Sequence, residues 1–139
     1  MNHIKWVLST LAMSVFIFPQ GAFSAERKTP TAPDEYLLMT NPIAPTEEVL
    51  KDAESLYKSK CRKCHSSDGK GRGTATKGMK VKPRDYTDKA VMEKLPDGQL
   101  FWIIVNGSDP DTTEMEGFKG KLKEEDAWKL VLYIRNFAK

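Results

Sequence analysis

Histidine and cysteine are scarce in this chain, and each scarcity removes a class of chemistry. The 139 residues hold two cysteines and two histidines, and one of the histidines, His3, lies in an N-terminal segment expected to be removed. His65 would then be the sole imidazole of the mature protein. Three cysteine and histidine side chains fall one short of the four ligands of an ordinary structural zinc site. No stretch alternates apolar and polar residues convincingly enough for a strand. Without a βαβ frame, a thioredoxin-type dithiol has nowhere to sit. Aromatic residues are missing from the most basic stretch, Lys58 to Arg84, which argues against nucleic-acid binding. The longest apolar run, Val7 to Phe18, has 12 residues. As a helix it would reach only about 18 Å, against roughly 30 Å of bilayer hydrocarbon.

That short run sits in "MNHIKWVLSTLAMSVFIFPQGAFSAE". Lys5 precedes it, Pro19 and Gly21 break it, and small residues follow, which is the layout of a secretory signal peptide. Cleavage after Ser24 puts Ala22 and Ser24 at the inspected positions, so residues 1–24 are expected to be removed and the protein to be periplasmic. The alternative is an uncleaved membrane anchor. A lipid anchor is excluded, because no cysteine stands at that site.

Losing Lys5 takes the basic count from 22 to 21, against 19 acids. The balance is slight but unevenly spread. Ten basic residues and one acid, Asp68, lie between Lys58 and Arg84. Residues 31–56 hold six acids and one lysine, and residues 109–126 hold seven acids and three lysines. A solvated charge run is the bland reading. A basic ring around a functional motif, made for an acidic partner, is the other.

The chain divides into an extended lead-in at 25–45, with four prolines, and one domain at 46–139. In the domain, "TEEVLKDAESLYKSK" predicts a helix capped by Thr46, with Val49, Leu50, Ala53, Leu56 and Tyr57 on one face. A glycine-rich loop follows. "TDKAVMEKL" predicts a short helix from Thr87, and "DGQLFWIIVNG" another, capped by Asp97 and ended at Asn106-Gly107. The last helix, "EEDAWKLVLYIRNFAK", places Ala127, Leu130, Val131, Ile134 and Phe137 on one side. The fold class is therefore all-α. Four modest helices and long polar loops make a thin core, which an apolar group at the centre would complete.

Where the first of these helices ends, the two cysteines stand in "CRKCH", residues 61–65. A plain disulfide at this spacing strains a helix, constrains a very short loop, and leaves His65 unexplained. C-x-x-C-H is also the attachment signature of haem c. Two thiols three residues apart can add to the vinyl groups on one porphyrin edge, and the next residue brings an imidazole under the iron. Cys61, Cys64 and His65 thus become the candidate cofactor residues, with His65 also a metal ligand. For the second axial position no further histidine remains, which leaves methionine, lysine or an open position. Four methionines are candidates: Met39 in the lead-in, Met79 in the glycine-rich basic loop, Met92 within a predicted helix, and Met115 in the loop before the last helix. Met115, 50 residues past His65, is the preferred metal ligand and Met79 the runner-up.

From about Asn41 onward the chain resembles a class I monohaem cytochrome c of the small bacterial kind. "LYKSKCRKCHSSDGKGRG", "LFWIIVNGS" and "MEGFKGKLKEEDAWKLVLYIRNF" carry the resemblance. It implies the cytochrome c fold, one covalent haem c, thioethers at Cys61 and Cys64, and His65–Met115 ligation. Departures are visible too. Glu116 stands where the family often has proline after the methionine, which points to a lower potential. Ala53 stands where glycine often marks the crossing of the two terminal helices, with Tyr57 expected to meet Leu130 and Tyr133. Thr74 takes the place of the proline whose carbonyl holds the histidine ring. Lys123 stands where the last helix usually has a serine or threonine cap. Trp102 is a candidate cofactor contact, its indole reaching a propionate, with core packing as the alternative; Trp128 is expected at the periphery.

The function implied is single-electron transfer without catalytic residues, between redox partner proteins that are acidic where they dock. Two rivals stand beside it. One is a haem subunit of a larger redox complex. The other is a haem protein whose labile methionine lets the iron bind small gases or peroxide.

Overall fold

The computed structural model describes residues 27–111 and 113–139. The expected signal segment, residues 1–24, lies outside them. Six helices follow in order: α1 (Asp34–Leu37), α2 (Glu47–Lys60), α3 (Arg62–His65), α4 (Lys89–Met92), α5 (Asp97–Asn106) and α6 (Glu124–Asn136). A 3-10 turn spans Thr74–Thr76. Among the described residues there is no strand, only an isolated antiparallel bridge between Gly107 and Glu116. The all-α expectation holds. No helix among them is long and apolar enough to cross a membrane.

The frame is the crossing of α2 and α6. At the start of α2 the Val49 amide donates to Thr46 Oγ1 at 3.3 Å, so the expected cap is made. Glu47 and Glu48 occupy the first turn, and Lys58 and Lys60 the last, each sign facing the favourable end of the helix dipole. α6 starts at Lys123 with no side-chain cap, and three acids in its first turn offset that loss. Ala53, Leu130 and Val131 are fully buried, and Tyr57 is nearly so. Tyr57 packs against Tyr133 at 5.1 Å between ring centroids, as the crossing predicts. Alanine is small enough for the close approach that glycine would otherwise provide.

Three local expectations need correction. Asp97 does not cap α5; Pro96 takes the cap position, and Asp97 lies inside the first turn. Its carboxylate instead accepts from Arg135 Nε at 2.8 Å. Arg135 also donates to the carbonyls of Met92, at 2.6 Å, and Leu95, which satisfies groups left over at the end of α4. α4 begins at Lys89 rather than Thr87, because Thr87 is held by the Asp85 carboxylate at 2.8 Å and 2.6 Å while Asp88 caps the helix. Trp128 is core, not periphery: it is 4% exposed and stacks on Phe101 at 4.1 Å.

The lead-in explains that last difference. Residues 27–45 are not simply extended; they form α1 and lie on α5. Tyr36 stacks on Phe101, and Asn41 Nδ2 donates to the Trp128 carbonyl at 2.9 Å. The Ala32 amide donates to Gln99 Oε1 at 2.9 Å, and Gln99 Nε2 donates to the Pro30 carbonyl at 2.5 Å. The approach is close enough that a β-carbon at Gly98 would sit 1.7 Å from the Tyr36 carbonyl oxygen. Proline keeps this segment out of long helices but does not keep it off the core.

Candidate functional site

The "CRKCH" motif follows α2 with almost no break. Cys61 caps both helices, and His65, at the end of α3, is buried. The glycine-rich loop folds back over this short helix and satisfies its last carbonyls. Gly73 N donates to Cys64 O at 3.0 Å, and Gly71 N to His65 O at 3.1 Å. A β-carbon on Gly73 would lie 2.1 Å from the Lys63 carbonyl oxygen, so glycine is needed there for the approach itself. Tyr57 adds a third tie, its hydroxyl donating to Ser66 O at 2.8 Å.

The opposite wall is built by α5 and the loop after it. Phe118 N and Lys119 N donate to the Ile104 and Val105 carbonyls at 3.0 Å and 2.8 Å, and Ser108 N donates to Met115 O at 3.0 Å. The loop thereby takes up acceptors that α5 leaves free at its C-terminus, and in doing so fixes the backbone at Met115.

Between the walls lies a cleft of about 300 Å³. Cys61, Cys64, His65 and Met115 all line it, with apolar surface from Val81, Pro83, Leu100, Ile103, Ile104, Phe118 and Ile134. Of the other methionines, Met79 also lines the cleft, Met92 is buried in the core, and Met39 is exposed. Trp102, expected against the cofactor, does not line the cleft; its neighbours Ile103 and Ile104 do. On a helix, adjacent residues point about 100° apart, and the cleft takes the face next to Trp102.

The chemistry of the donors is consistent. Both cysteines are free and half-buried. The Cys61 thiol is pushed up to about 12, by burial first and by Cys64 second. Dithiol exchange needs a thiolate, so a thiol this weakly acidic does not suit it. Among the described residues no group of three histidine, cysteine, aspartate or glutamate side chains is gathered as a metal site. The His65 imidazole is pushed down to about 4, by burial and then by the Arg27 guanidinium, against an opposing pull from the backbone at Arg84. It is therefore neutral near pH 7, the form that binds a metal. Its Nδ1 is buried without a hydrogen-bond partner, and its Nε2 lies 3.3 Å from the Tyr86 hydroxyl. Thr74, expected to hold the ring through its carbonyl, makes no hydrogen bond to it. An apolar slot with two thiols at one edge, a neutral imidazole short of a partner, and a thioether on the facing wall fits a haem.

Among the cleft residues not foreseen are Tyr86, Arg27 and Arg84, and the lining also includes the acids Glu114 and Glu116. Tyr86 stacks on His65 at 4.7 Å with the rings 8° from parallel. It is the only aromatic residue between His65 and Leu100, a signal the sequence did offer. The arginines could be found only by knowing that the lead-in returns to the cleft.

An all-helical chain with one C-x-x-C-H motif opening on such a cleft is a small monohaem c-type cytochrome. It belongs to the family described as cytochrome c oxidase, cbb3-type, subunit III, whose model matches residues 48–134. That membership places it among haem c electron-transfer proteins. Solved structures agree on the fold. The chain is similar to the c-type cytochrome KustC0563, at 31% identity and TM-score 0.54, covering 63% of this chain and 99% of that one. It is similar also to a chain of the reducing HAO-like protein complex Kustc0457/Kustc0458 of Kuenenia stuttgartiensis. There the identity is 23% and the TM-score 0.59, over 85% of this chain and 54% of that one, so it spans only about half of that relative. Cytochrome cL of Methylophaga aminisulfidivorans matches at 19% identity and TM-score 0.52, over 83% of this chain and 71% of that one. Among curated proteins no relative matches.

Proposed function

We propose that this chain is an exported, periplasmic single-electron carrier holding one haem c, joined through Cys61 and Cys64 and ligated by His65 and Met115. The observation that carries the reading is the convergence of those four side chains on one apolar cleft. Bound haem supplies a one-electron couple between ferrous and ferric iron. The chain's own residues do the rest. Thioethers at Cys61 and Cys64 would hold the group in place covalently. His65 offers a neutral nitrogen, and Met115 a soft sulfur that favours the ferrous state and raises the potential. The apolar walls would lower the polarity around the group. Glu116 works in the opposite direction, but it is exposed and has Lys121 at 3.4 Å, so its pull on the potential is small.

Partner choice falls to the basic surface. Of the ten basic residues from Lys58 to Arg84, Lys58 alone has a carboxylate within ion-pair distance among the described residues, and that is Glu54. The unpaired remainder suits an acidic docking face. The test is an optical spectrum of both redox states, before and after Met115→Ala. A low-spin spectrum, a red sulfur-to-iron band in the ferric state, and loss of that band in the variant are expected. Pigment that extracts into acidic organic solvent would refute covalent attachment.

A second reading is that the chain is a haem subunit of a larger assembly. It is favoured by the family's description as an oxidase subunit and by the neighbour that belongs to a protein complex. Stable co-purification with a large partner from the native membrane or periplasmic fraction decides for it; a lone monomer decides against it.

A further inference from the structure

Two guanidinium groups share the wall of a cleft whose lining carboxylates, Glu114 and Glu116, make no ion pair with them. Arg27 and Arg84 both line it and both are half-buried. They are cross-laced: Arg27 donates to the Lys82 carbonyl, and Arg84 donates to Thr29 Oγ1 at 2.5 Å. Each arginine is thus held by the other's segment, and every partner is a neutral oxygen. Neither has a carboxylate within ion-pair distance among the described residues. Burial first and the charge of Arg84 second act against the protonated form of Arg27, and burial acts against that of Arg84, with Tyr86 and Asp88 opposing it. Withdrawing two like charges from water side by side is unfavourable unless an anion joins them. Planar guanidiniums take carboxylates in a paired, two-pronged fashion.

We propose that Arg27 and Arg84 form a carboxylate clamp at one end of the cleft, engaging the propionates of the haem. The inference rests on the reading of the cleft as a haem site and adds to it a contribution from the lead-in. Arg27 lies outside the matched residues 48–134, so the family's shared domain does not supply it. The lead-in then has a function besides covering Trp128: it brings a positive charge to the cofactor and ties it to the segment 82–84. Neutralising the propionates favours the ferrous state, because the ferric centre loses the negative charges that stabilise it.

The test uses the matured holoprotein and its Arg27→Gln, Arg84→Gln, double and Arg27→Lys variants. Lys80→Gln is the control, since Lys80 is exposed in the same basic block and does not line the cleft. Midpoint potential and the redox-difference infrared spectrum are read together. At a fixed applied potential the reduced-to-oxidised ratio is expected to fall several-fold in each glutamine variant and about tenfold in the double variant, about 59 mV for one electron. The propionate carboxylate bands move in all the arginine variants. Arg27→Lys keeps the charge, so it holds the potential while still moving the bands. Lys80→Gln changes neither. Bands unmoved in both single glutamine variants overturn the proposal, whatever the potential does; that result would also follow if the arginines served only an acidic partner protein. A wild-type protein with no haem spectrum at all refutes the cofactor reading instead, so the two failures are distinct.

Discussion

The substitution Gly73→Ala isolates what the glycine-rich loop does for the cofactor motif. Gly73 has φ of −67°, a conformation any residue adopts, so its backbone angles give no reason for glycine. The reason is space. A β-carbon there would lie 2.1 Å from Lys63 O and 2.8 Å from Arg62 O. Both obstacles are main-chain atoms of α3, which cannot rotate away as a side chain could. Ordinary contact requires the loop to retreat by more than an ångström. That retreat stretches the Gly73–Cys64 and Gly71–His65 hydrogen bonds, now 3.0 Å and 3.1 Å. Overpacking costs about 1–3 kcal/mol, and each weakened hydrogen bond about 1 kcal/mol more. A total of about 3–5 kcal/mol lowers the melting temperature by roughly 10–20 °C for a chain of this size. Gly78→Ala is the contrasting control. Gly78 has φ of +87° and nothing within 4 Å of an added β-carbon, so it tests backbone strain alone, at about 1 kcal/mol. Thermal unfolding of the two holoproteins, followed by circular dichroism, makes the comparison. A Gly73→Ala protein that melts within 2–3 °C of wild type, or above Gly78→Ala, would show that the loop does not press on the motif as described.

Arg135→Ala removes an ion pair with Asp97 and two carbonyl contacts at the end of α4 in one step, all half-buried; urea unfolding is expected to show a loss of about 2–3 kcal/mol. Trp128→Ala should cost about 3–5 kcal/mol, because a buried indole leaves a cavity beside Phe101. Trp102→Ala, by contrast, should leave the visible spectrum unchanged, since that ring does not line the cleft. Met79→Ala is expected to keep the red ferric band that Met115→Ala loses, and the reverse result would exchange their roles. Association with an acidic redox partner should slow steeply as salt rises, measured by stopped-flow at several ionic strengths; a flat profile would dismiss the basic block as a docking surface.

What the sequence disclosed and what it hid divide along a physical line. The motif is a local device: two thiols and an imidazole within five residues stand together whatever surrounds them, so Cys61, Cys64 and His65 stood out from spacing alone, and the structure brings all three to one cleft. The two long terminal helices were legible for a related reason. Their apolar faces repeat at helical spacing, and their ends carry charges of the favourable sign. Asp97 misled because a good N-cap residue directly after proline is also well placed to pair with a distant arginine. Which use prevails depends on Arg135, 38 residues away in sequence. Trp128 misled for the same reason, since what buries it includes the lead-in, brought back by Asn41 across 87 residues. A proline-rich composition shows that a segment will not form a long helix. It does not show whether Pro30 and Ala32 will find Gln99 on another element. The clamp residues belong to this second kind. Arg27 and Arg84 are 57 positions apart in the chain, and each is unremarkable in its own neighbourhood. Their meaning comes from the side-chain hydrogen bonds that tie their two segments, Arg27 to the Lys82 carbonyl and Arg84 to Thr29, and that put two positive charges on the wall of a cleft lined also by Cys61, Cys64 and His65. A half-buried pair of guanidiniums with neutral hydrogen-bond partners and no carboxylate at ion-pair distance among the described residues is the feature on which the proposed clamp rests.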